Sequence, residues 1–190
     1  MGRDDKWNDI IDLRIQLWEK IYSYWVEETL FTFNWWLLLT TAIGIFIVWF
    51  ILLNKKIIIE IIAFGLLIST FAFILDLIGI TMVLWSYPDR ILPLLQPTLE
   101  IHKLHMPIIY MLIYQYFRSW IPFIIVITIT SFVFSFVLEP LLEWLNIYEA
   151  YHWHHIYSFP IYIALAIIFK WTIEKLKNVE KRHRENDHYS

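Results

Sequence analysis

Ionisable side chains are concentrated in residues 138–162, LEPLLEWLNIYEAYHWHHIYSFPIY, which hold three glutamates and three histidines between two apolar segments. Imidazole and carboxylate groups together bind zinc and other divalent metals, and histidine also titrates near neutral pH. The same side chains are common where a membrane protein meets lipid headgroups, because each histidine or tyrosine has an apolar body and a polar tip. Three interpretations follow: a metal site, a proton-sensing site and, favoured over both, a solvated loop at a membrane surface.

The metal interpretation rests on histidines from two parts of the chain. His102 and His105 are three residues apart on a predicted helix, so both could face one ion. Adjacent side chains in His-Trp-His-His point in different directions, and the chain has no HExxH motif. A divalent metal is therefore a secondary expectation, and no other cofactor and no catalytic residue is predicted. The candidate metal ligands are His102, His105, His152 and His155.

A further carboxylate, Asp76, lies within a long apolar segment. Gly65, Ser69, Ala72, Asp76 and Gly79 are spaced by four and three residues, which places them on one face of a helix. Membrane helices approach one another along such small-residue faces. A charge at the centre of a bilayer costs at least about 2.5–3.5 kcal/mol, so we expect Asp76 to be buried in protein and hydrogen-bonded, or protonated. A functional site and a structural hydrogen bond between helices are both open interpretations.

A second polar stripe lies in a later apolar segment and ends at Glu139, with Thr128, Ser131 and Ser135 at helical spacing before it. We predict that the two stripes pair. Arg90 could then supply the directional hydrogen bonds that a buried carboxylate requires. The predicted polar cluster consists of Asp76, Arg90, Glu100, His105 and Glu139.

The whole chain has the composition of an integral membrane protein. It has 190 residues, of which 59% are hydrophobic and 19% aromatic, whereas soluble domains are about 45–50% apolar. The net charge of −3 argues against a nucleic-acid partner, which requires a basic surface. The absence of cysteine excludes disulfides and thiol catalysis, and only four glycines are present, without a phosphate-binding loop motif.

We predict an all-α fold with five transmembrane helices. A helix needs about 20 residues to cross about 30 Å of hydrocarbon. The third apolar run is shorter than this, and it becomes a span only if the helix includes the preceding residues and submerges His105. The predicted spans are centred on residues 35–53, 57–85, 106–117, 121–138 and 156–173.

The segments on either side of the spans are polar or amphipathic. Residues 1–34 are predicted to form an amphipathic helix that lies in the membrane interface. Alternatively, this helix packs on the outer loops of its own or a neighbouring chain. The domains are then the interfacial helix at 1–34, the five-helix transmembrane domain at 35–173 and a charged tail at 174–190. The apolar stripe of the first helix comprises Trp7, Ile11, Ile15, Trp18, Tyr22 and Trp25.

Basic residues near the spans predict the orientation. Lys55, Lys56, Arg118 and six basic residues at 170–184 would lie on one side, with three basic residues on the other. Because basic residues are retained in the cytoplasm, we expect a multi-pass protein with its N-terminus outside and its C-terminus in the cytoplasm.

Several segments resemble a family of small five-helix membrane proteins that is common in spore-forming Firmicutes. The resemblance is carried by Trp-x-Tyr-Pro at 85–88, Glu-Pro at 139–140 and Tyr-Ser-x-Pro-x-Tyr at 157–162. It extends from about Trp35 to Trp171. It implies a bacterial plasma membrane, with a spore-related role as one option, and it implies no activity, cofactor or catalytic residue.

Three functional hypotheses are consistent with the sequence. The leading one is a non-enzymatic membrane protein whose polar site at the outer pole binds a partner or acts as a scaffold, which predicts a closed core. The second is a small transporter or channel component that uses Asp76 and Glu139, which predicts a water-accessible cavity around Asp76. The third is a metal-dependent membrane enzyme. The expected partners are the lipid bilayer and either another protein or a second copy of the chain.

Overall fold

The structure is a computed structural model that describes residues 2–94 and 101–187. The described chain is almost entirely helical, which confirms the predicted all-α class. Two short strands, β1 (Trp85–Ser86) and β2 (Glu149–Ala150), form an antiparallel ribbon. The helices are α1 (Arg3–Tyr24), α2 (Phe33–Leu52), α3 (Ile58–Thr81), α4 (Ile101–Tyr116), α5 (Trp120–Val133), α6 (Glu139–Trp144) and α7 (His155–Asp187).

Helices α2, α3, α4, α5 and α7 run side by side between two ends of the molecule. We call the end that holds β1 and β2 the ribbon end. The opposite end, which holds the short 3-10 turn Lys55–Ile57 between α2 and α3, is the tail end, because α7 continues past the bundle there. Helix α1 joins the bundle at the ribbon end, so α1 and the part of α7 that extends past the bundle lie at opposite ends.

Four helical segments among the described residues are long and apolar enough to cross a membrane. They are Phe33–Leu52, Lys55–Thr81, Trp120–Trp144 and His155–Glu185. Helix α4 has 16 described residues and so spans about 24 Å. Its described part begins at Ile101 and includes His105. Its buried residues, such as Tyr110 and Tyr114, pack among the other helices.

The bundle has two apolar cores. The larger core joins α3, α4, α5 and α7, and in it the ring of Phe64 stacks on that of Tyr114 with centroids 4.4 Å apart. The smaller core lies at the ribbon end and is formed by Leu38, Ala42, Tyr87, Ile91, Leu142, Ile147 and Tyr148. The larger core therefore fills the tail-side part of the bundle, and the smaller core packs the described loop segments of the ribbon end together.

Asp89 ties the start of the bundle to the loop after β1. Its buried carboxylate accepts hydrogen bonds from Thr29 Oγ1 at 3.1 Å and Asn34 Nδ2 at 2.6 Å. The indole of Trp25 donates to the carbonyl of Arg90 at 3.0 Å. These bonds hold the π-helical turn Trp25–Thr29, which ends the first helix, against the ribbon end. Most of α1 itself is exposed, including several large apolar side chains.

Helix α5 continues into α6 through the π-helical turn Phe134–Leu138. Pro140 follows this turn and has no N–H to donate to the preceding turn. A π-helical turn inserts one extra residue and rotates everything that follows it. The spacing argument for the second stripe assumed a regular helix, so the rotation changes the direction of Glu139. Its side chain reaches α7, and Ser131 of the same stripe hydrogen-bonds Tyr110 of α4 at 3.0 Å.

Candidate functional site at the ribbon end

A cavity of about 160 Å³ lies at the ribbon end between α3 and α7. Both carboxylates that the sequence singled out, Asp76 and Glu139, line it. Aromatic side chains form much of the remaining wall, and most of the lining is apolar. The lining residues central to the site are Asp76, Glu139, Trp85, Tyr87, Tyr148, Trp153, Ser158 and Tyr162.

Asp76 is held by two aromatic donors from the ribbon-end loop. Its Oδ1 atom accepts hydrogen bonds from Trp85 Nε1 at 2.9 Å and from the Tyr87 hydroxyl at 2.7 Å. The side chain is 7% exposed, as expected for a carboxylate on the small-residue face of α3. Val83, at φ 55°, turns the chain sharply after α3. Because this region of backbone conformation is disfavoured for a β-branched residue, the turn is a specific feature that returns Trp85 onto α3.

Glu139 is 1% exposed and contacts three side chains of α7. Its Oε1 accepts from the Tyr162 hydroxyl at 2.7 Å, and its Oε2 lies 3.2 Å from Ser158 Oγ and 2.7 Å from His155 Nδ1. The serine in turn accepts a hydrogen bond from Trp153 Nε1 at 2.9 Å. The Tyr-Ser-x-Pro-x-Tyr segment therefore supplies two of the hydrogen-bond donors to this carboxylate, Ser158 and Tyr162.

His155 bridges two glutamates. Its Nδ1 lies 2.7 Å from Glu139, and its Nε2 lies 3.1 Å from Glu143. A neutral imidazole carries only one N–H, so it can donate to only one of the two carboxylates. His155 therefore links Glu139 of the cavity wall to Glu143.

Tyr148 lies near all the acidic groups of the site. Burial, reinforced by the negative charges of Glu139, Glu143 and Asp76, raises the pKa of its phenol well above the usual range. Its ring packs against Tyr87, with centroids 5.6 Å apart, and against His155, at 6.4 Å. Tyr148 therefore connects the surroundings of Asp76 with those of Glu139.

The remaining members of the predicted cluster have different surroundings. The guanidinium of Arg90 donates to the backbone carbonyl of Leu94 at 3.0 Å and to that of Tyr87. It thereby fixes the loop that carries Tyr87. His105 is half-buried on α4, and Glu100 lies outside the described residues. The structure thus brings Asp76 and Glu139 to one cavity and places Arg90 behind its wall.

The candidate metal ligands are spread over the ribbon end. His152 is exposed, with Nδ1 3.3 Å from the carbonyl of Val83, and both nitrogens of His155 contact glutamates. The side chain of His102 lies outside the described part of the chain. Within that part, no three histidine, aspartate or glutamate side chains form a group able to hold a metal ion.

Sequence reasoning missed a second polar cluster, which lies at the tail end around Glu60. Its carboxylate accepts from Arg118 at 2.8 Å, from Lys177 at 2.9 Å and from the Tyr114 hydroxyl. The nearby Lys170 is 1% exposed and donates to the carbonyls of Phe117 at 3.1 Å and Arg118 at 2.7 Å, which follow the end of α4. A cation there complements the helix dipole.

The signals of this cluster in the sequence were Glu60, which was taken to be explained by the nearby Lys55 and Lys56, and Lys170. Lys170 follows directly on an apolar run and was assigned to the basic residues that set the orientation, like its neighbours in α7. Its burial depends on how α7 packs against α4 and α5, which spacing within one helix does not reveal.

Comparison with protein-family models, curated proteins and solved structures found no match to this chain. The proposed function therefore rests on the geometry of the site.

Proposed function

We propose that this chain is an integral membrane protein, not an enzyme, that binds a small ligand in the ribbon-end cavity. The observation that carries the proposal is that two buried carboxylates, Asp76 and Glu139, line one cavity within an apolar helical bundle. Ionisable residues within a membrane protein are costly to bury and commonly mark functional sites. Binding of a ligand that contacts both carboxylates is such a function.

The proposed topology has five spans, with α4 as the third. Helix α4 runs from the ribbon end to the tail end, where Gln115 donates to the carbonyl of Leu52 at 3.0 Å. Lys55, Lys56 and Arg118 lie at the tail end, which is then the cytoplasmic side by the distribution of basic residues. Helix α1 lies in the outer interface, where its exposed Trp7 and Trp18 contact headgroups.

The proposed location is a bacterial plasma membrane, and the proposed family is the five-helix family of spore-forming Firmicutes. The segments that carry the resemblance support this assignment, because they coincide with the walls of the cavity. Trp85 and Tyr87 come from the first motif, Glu139 from the second, and Ser158 and Tyr162 from the third.

Transport is a second candidate function, because a cavity around Asp76 is what that hypothesis predicted. The closed core expected for a binding or scaffold protein is not what surrounds Asp76. Toward the tail end, however, the larger core fills the bundle with buried side chains such as Ile68, Tyr110 and Phe134. Binding from one side fits this arrangement without a further conformational change, so it is preferred over transport.

The binding proposal can be tested by filling the cavity. Ala72 lines the cavity, whereas a side chain at Gly44 on α2 meets open space. We expect a small molecule to copurify with the wild type and with Gly44→Phe, and to be lost from Ala72→Phe, as measured by mass spectrometry of extracts from the purified proteins. The same small-molecule content in all three proteins would contradict ligand binding in the cavity.

The topology can be tested with single cysteines, because the natural chain has none. A Leu92→Cys variant should react with a membrane-impermeant thiol reagent in intact cells, and a reporter fused after Ser190 should be active only in the cytoplasm. Reaction of Leu92→Cys only after permeabilisation would reverse the orientation and move the cavity to the cytoplasmic side.

A further inference from the structure

We infer that the ligand of the ribbon-end cavity is an amphiphile with an ammonium head group, which reaches the site sideways from the bilayer between α3 and α7. This inference rests on the proposed binding function and specifies its ligand. It follows from three properties of the cavity: the chemistry of its walls, its size and the side on which it opens.

The walls combine carboxylates with aromatic rings. Asp76 and Glu139 contribute the carboxylates, and the described lining contains no lysine, arginine or histidine. Organic cations are attracted to the faces of aromatic rings, and cages of such rings recognise quaternary ammonium groups. The aromatic lining residues are Trp85, Tyr87, Tyr148, Trp153 and Tyr162.

The aromatic residues are fixed in place before any ligand binds. Trp85 and Trp153 meet edge to face with centroids 4.9 Å apart. Trp85 and Tyr87 both donate to Asp76, and Tyr162 donates to Glu139. A rigid wall loses little conformational entropy on binding, which favours affinity. The hydrogen bonds also place the two negative charges beside the rings.

Other ligand classes fit these walls less well. An anion would be repelled by Asp76 and Glu139. A bare metal ion requires several oxygen or nitrogen ligands to replace its water, whereas most of this lining is apolar. An alkylated ammonium group carries its charge within an apolar surface, and it therefore matches a wall that is both apolar and negative.

The size of the cavity limits what enters it to a head group. A cavity of about 150 Å³ holds one benzene molecule, and this one has about 160 Å³. The rest of the ligand must lie outside. Leu75 and Ile78 line the cavity on α3 and are 37% and 48% exposed on the surface of the bundle. Because that surface belongs to an apolar spanning segment, the opening faces lipid, and an alkyl chain can extend along it.

The inference can be tested with three probes of equal chain length: tritiated decyltrimethylammonium, decanol and decyl sulfate. Each is equilibrated with the protein immobilised in dodecyl maltoside micelles, and the bound probe is counted. We expect saturable binding of the cation to the wild type and to Gly44→Phe, and its loss in Ala72→Phe. Decanol and decyl sulfate should bind at least about tenfold more weakly, because a charge contact is worth 1.4 kcal/mol or more.

Two conservative variants test the role of the charges. Asp76→Asn keeps an oxygen that can accept the bonds from Trp85 and Tyr87, and Glu139→Gln keeps one oxygen that can accept the bond from Tyr162. Both variants remove the negative charge. Each should weaken binding of decyltrimethylammonium about tenfold or more and leave decanol binding unchanged. Using both variants keeps the test decisive if one of them fails to fold.

The outcomes separate the ligand class from the binding function. Equal binding of decanol and the cation, lost in Ala72→Phe, would overturn the ammonium assignment and leave ligand binding intact. Cation binding that persists in Ala72→Phe would place the probe outside the cavity and would overturn the ammonium assignment. The absence of cation binding to the wild type would overturn it as well. The copurification experiment judges the binding function independently.

Competition then identifies the source of the ammonium group. Dihexanoyl phosphatidylcholine carries it on a lipid head group, and choline carries it without an apolar chain. If the phospholipid displaces bound decyltrimethylammonium and choline does not, the ligand is a lipid. If neither displaces it, the ligand is a free alkyl ammonium compound. Both results agree with an amphiphile. Displacement by choline at equal concentration would contradict the role given to the alkyl chain.

Discussion

The indole ring of Trp85 lies directly against the backbone of Gly79. A Cβ atom at position 79 would stand 2.0 Å from Cζ2 of Trp85, a distance that real contacts do not permit. Only glycine therefore allows Trp85 to pack this closely on α3. The same ring donates its N–H to Asp76, three residues earlier on that helix. The small-residue face of α3 thus packs against an aromatic side chain from the ribbon end as well as against a neighbouring helix.

Replacing Gly79 by alanine should displace Trp85 and weaken its hydrogen bond to Asp76. We expect a loss of about 1–3 kcal/mol in the free energy of unfolding, as for other overpacked sites, and a changed near-ultraviolet circular dichroism spectrum. The matched control is Gly44→Ala, where the added methyl group meets open space. Similar melting temperatures for the two variants in detergent would show that the contact is not rigid.

Glu60 should be important for the stability of the tail end. Glu60→Gln weakens the attraction to Arg118 and Lys177 at a side chain that is 11% exposed. We expect it to reduce stability by about 1–3 kcal/mol. Glu180→Gln removes an exposed ion pair with Arg184 on α7 and should have little effect. Equal losses in chemical unfolding of the two variants would contradict the buried role of Glu60.

Tyr148 should make the protein sensitive to alkaline pH. Its pKa is raised in the folded protein, so the folded state holds the phenolic proton more tightly than the unfolded state, where the pKa is about 10. The resulting stability is fully present below about pH 10 and is lost progressively as the pH rises toward the folded pKa. Tyr148→Phe should therefore lose less stability than the wild type between about pH 10 and 11.

The exposed Tyr116 provides the control for this experiment. Tyr116→Phe should follow the wild-type profile of melting temperature against pH. If Tyr148→Phe also follows the wild-type profile, burial and the nearby carboxylates do not act on this phenol as the geometry indicates.

Metal removal should leave the fold unchanged. Both nitrogens of His155 are engaged by Glu139 and Glu143, and a ring nitrogen of His152 faces the carbonyl of Val83. We expect protein purified without a histidine tag to keep its melting temperature after dialysis against a chelator. A stoichiometric metal content measured by plasma emission, with a lower melting temperature after its removal, would support the metal hypothesis instead.

The sequence identified the two carboxylates of the cavity but not its walls. Asp76 and Glu139 were visible because a charged residue in an apolar segment is rare and has a definite helical position. Trp85 stood out only as part of a motif, and Tyr148 and Trp153 gave no comparable signal in a chain that is 19% aromatic. Their role depends on the ribbon that pairs residues 85–86 with 149–150, and such pairing between distant segments is not encoded by local periodicity.

Helical spacing also could not predict the rotation of Glu139. Counting in steps of three and four gives its direction only in a regular α-helix, and the π-helical turn before Pro140 adds a residue to the count. The proline was the available signal, because it prevents a regular hydrogen bond at that point.

Because of three prolines, the ribbon half and the tail half of the bundle differ in their backbone hydrogen bonds. Pro107 lies in α4, Pro160 in α7 and Pro140 beside the π-helical turn, all of them toward the ribbon end. Each interrupts the run of backbone hydrogen bonds that makes a helix stiff. In the tail half, the described helical turns that pack around Phe64, Phe123 and Lys170 contain no proline that interrupts these hydrogen bonds. The ribbon half therefore has fewer backbone hydrogen bonds to hold its helices straight than the tail half has.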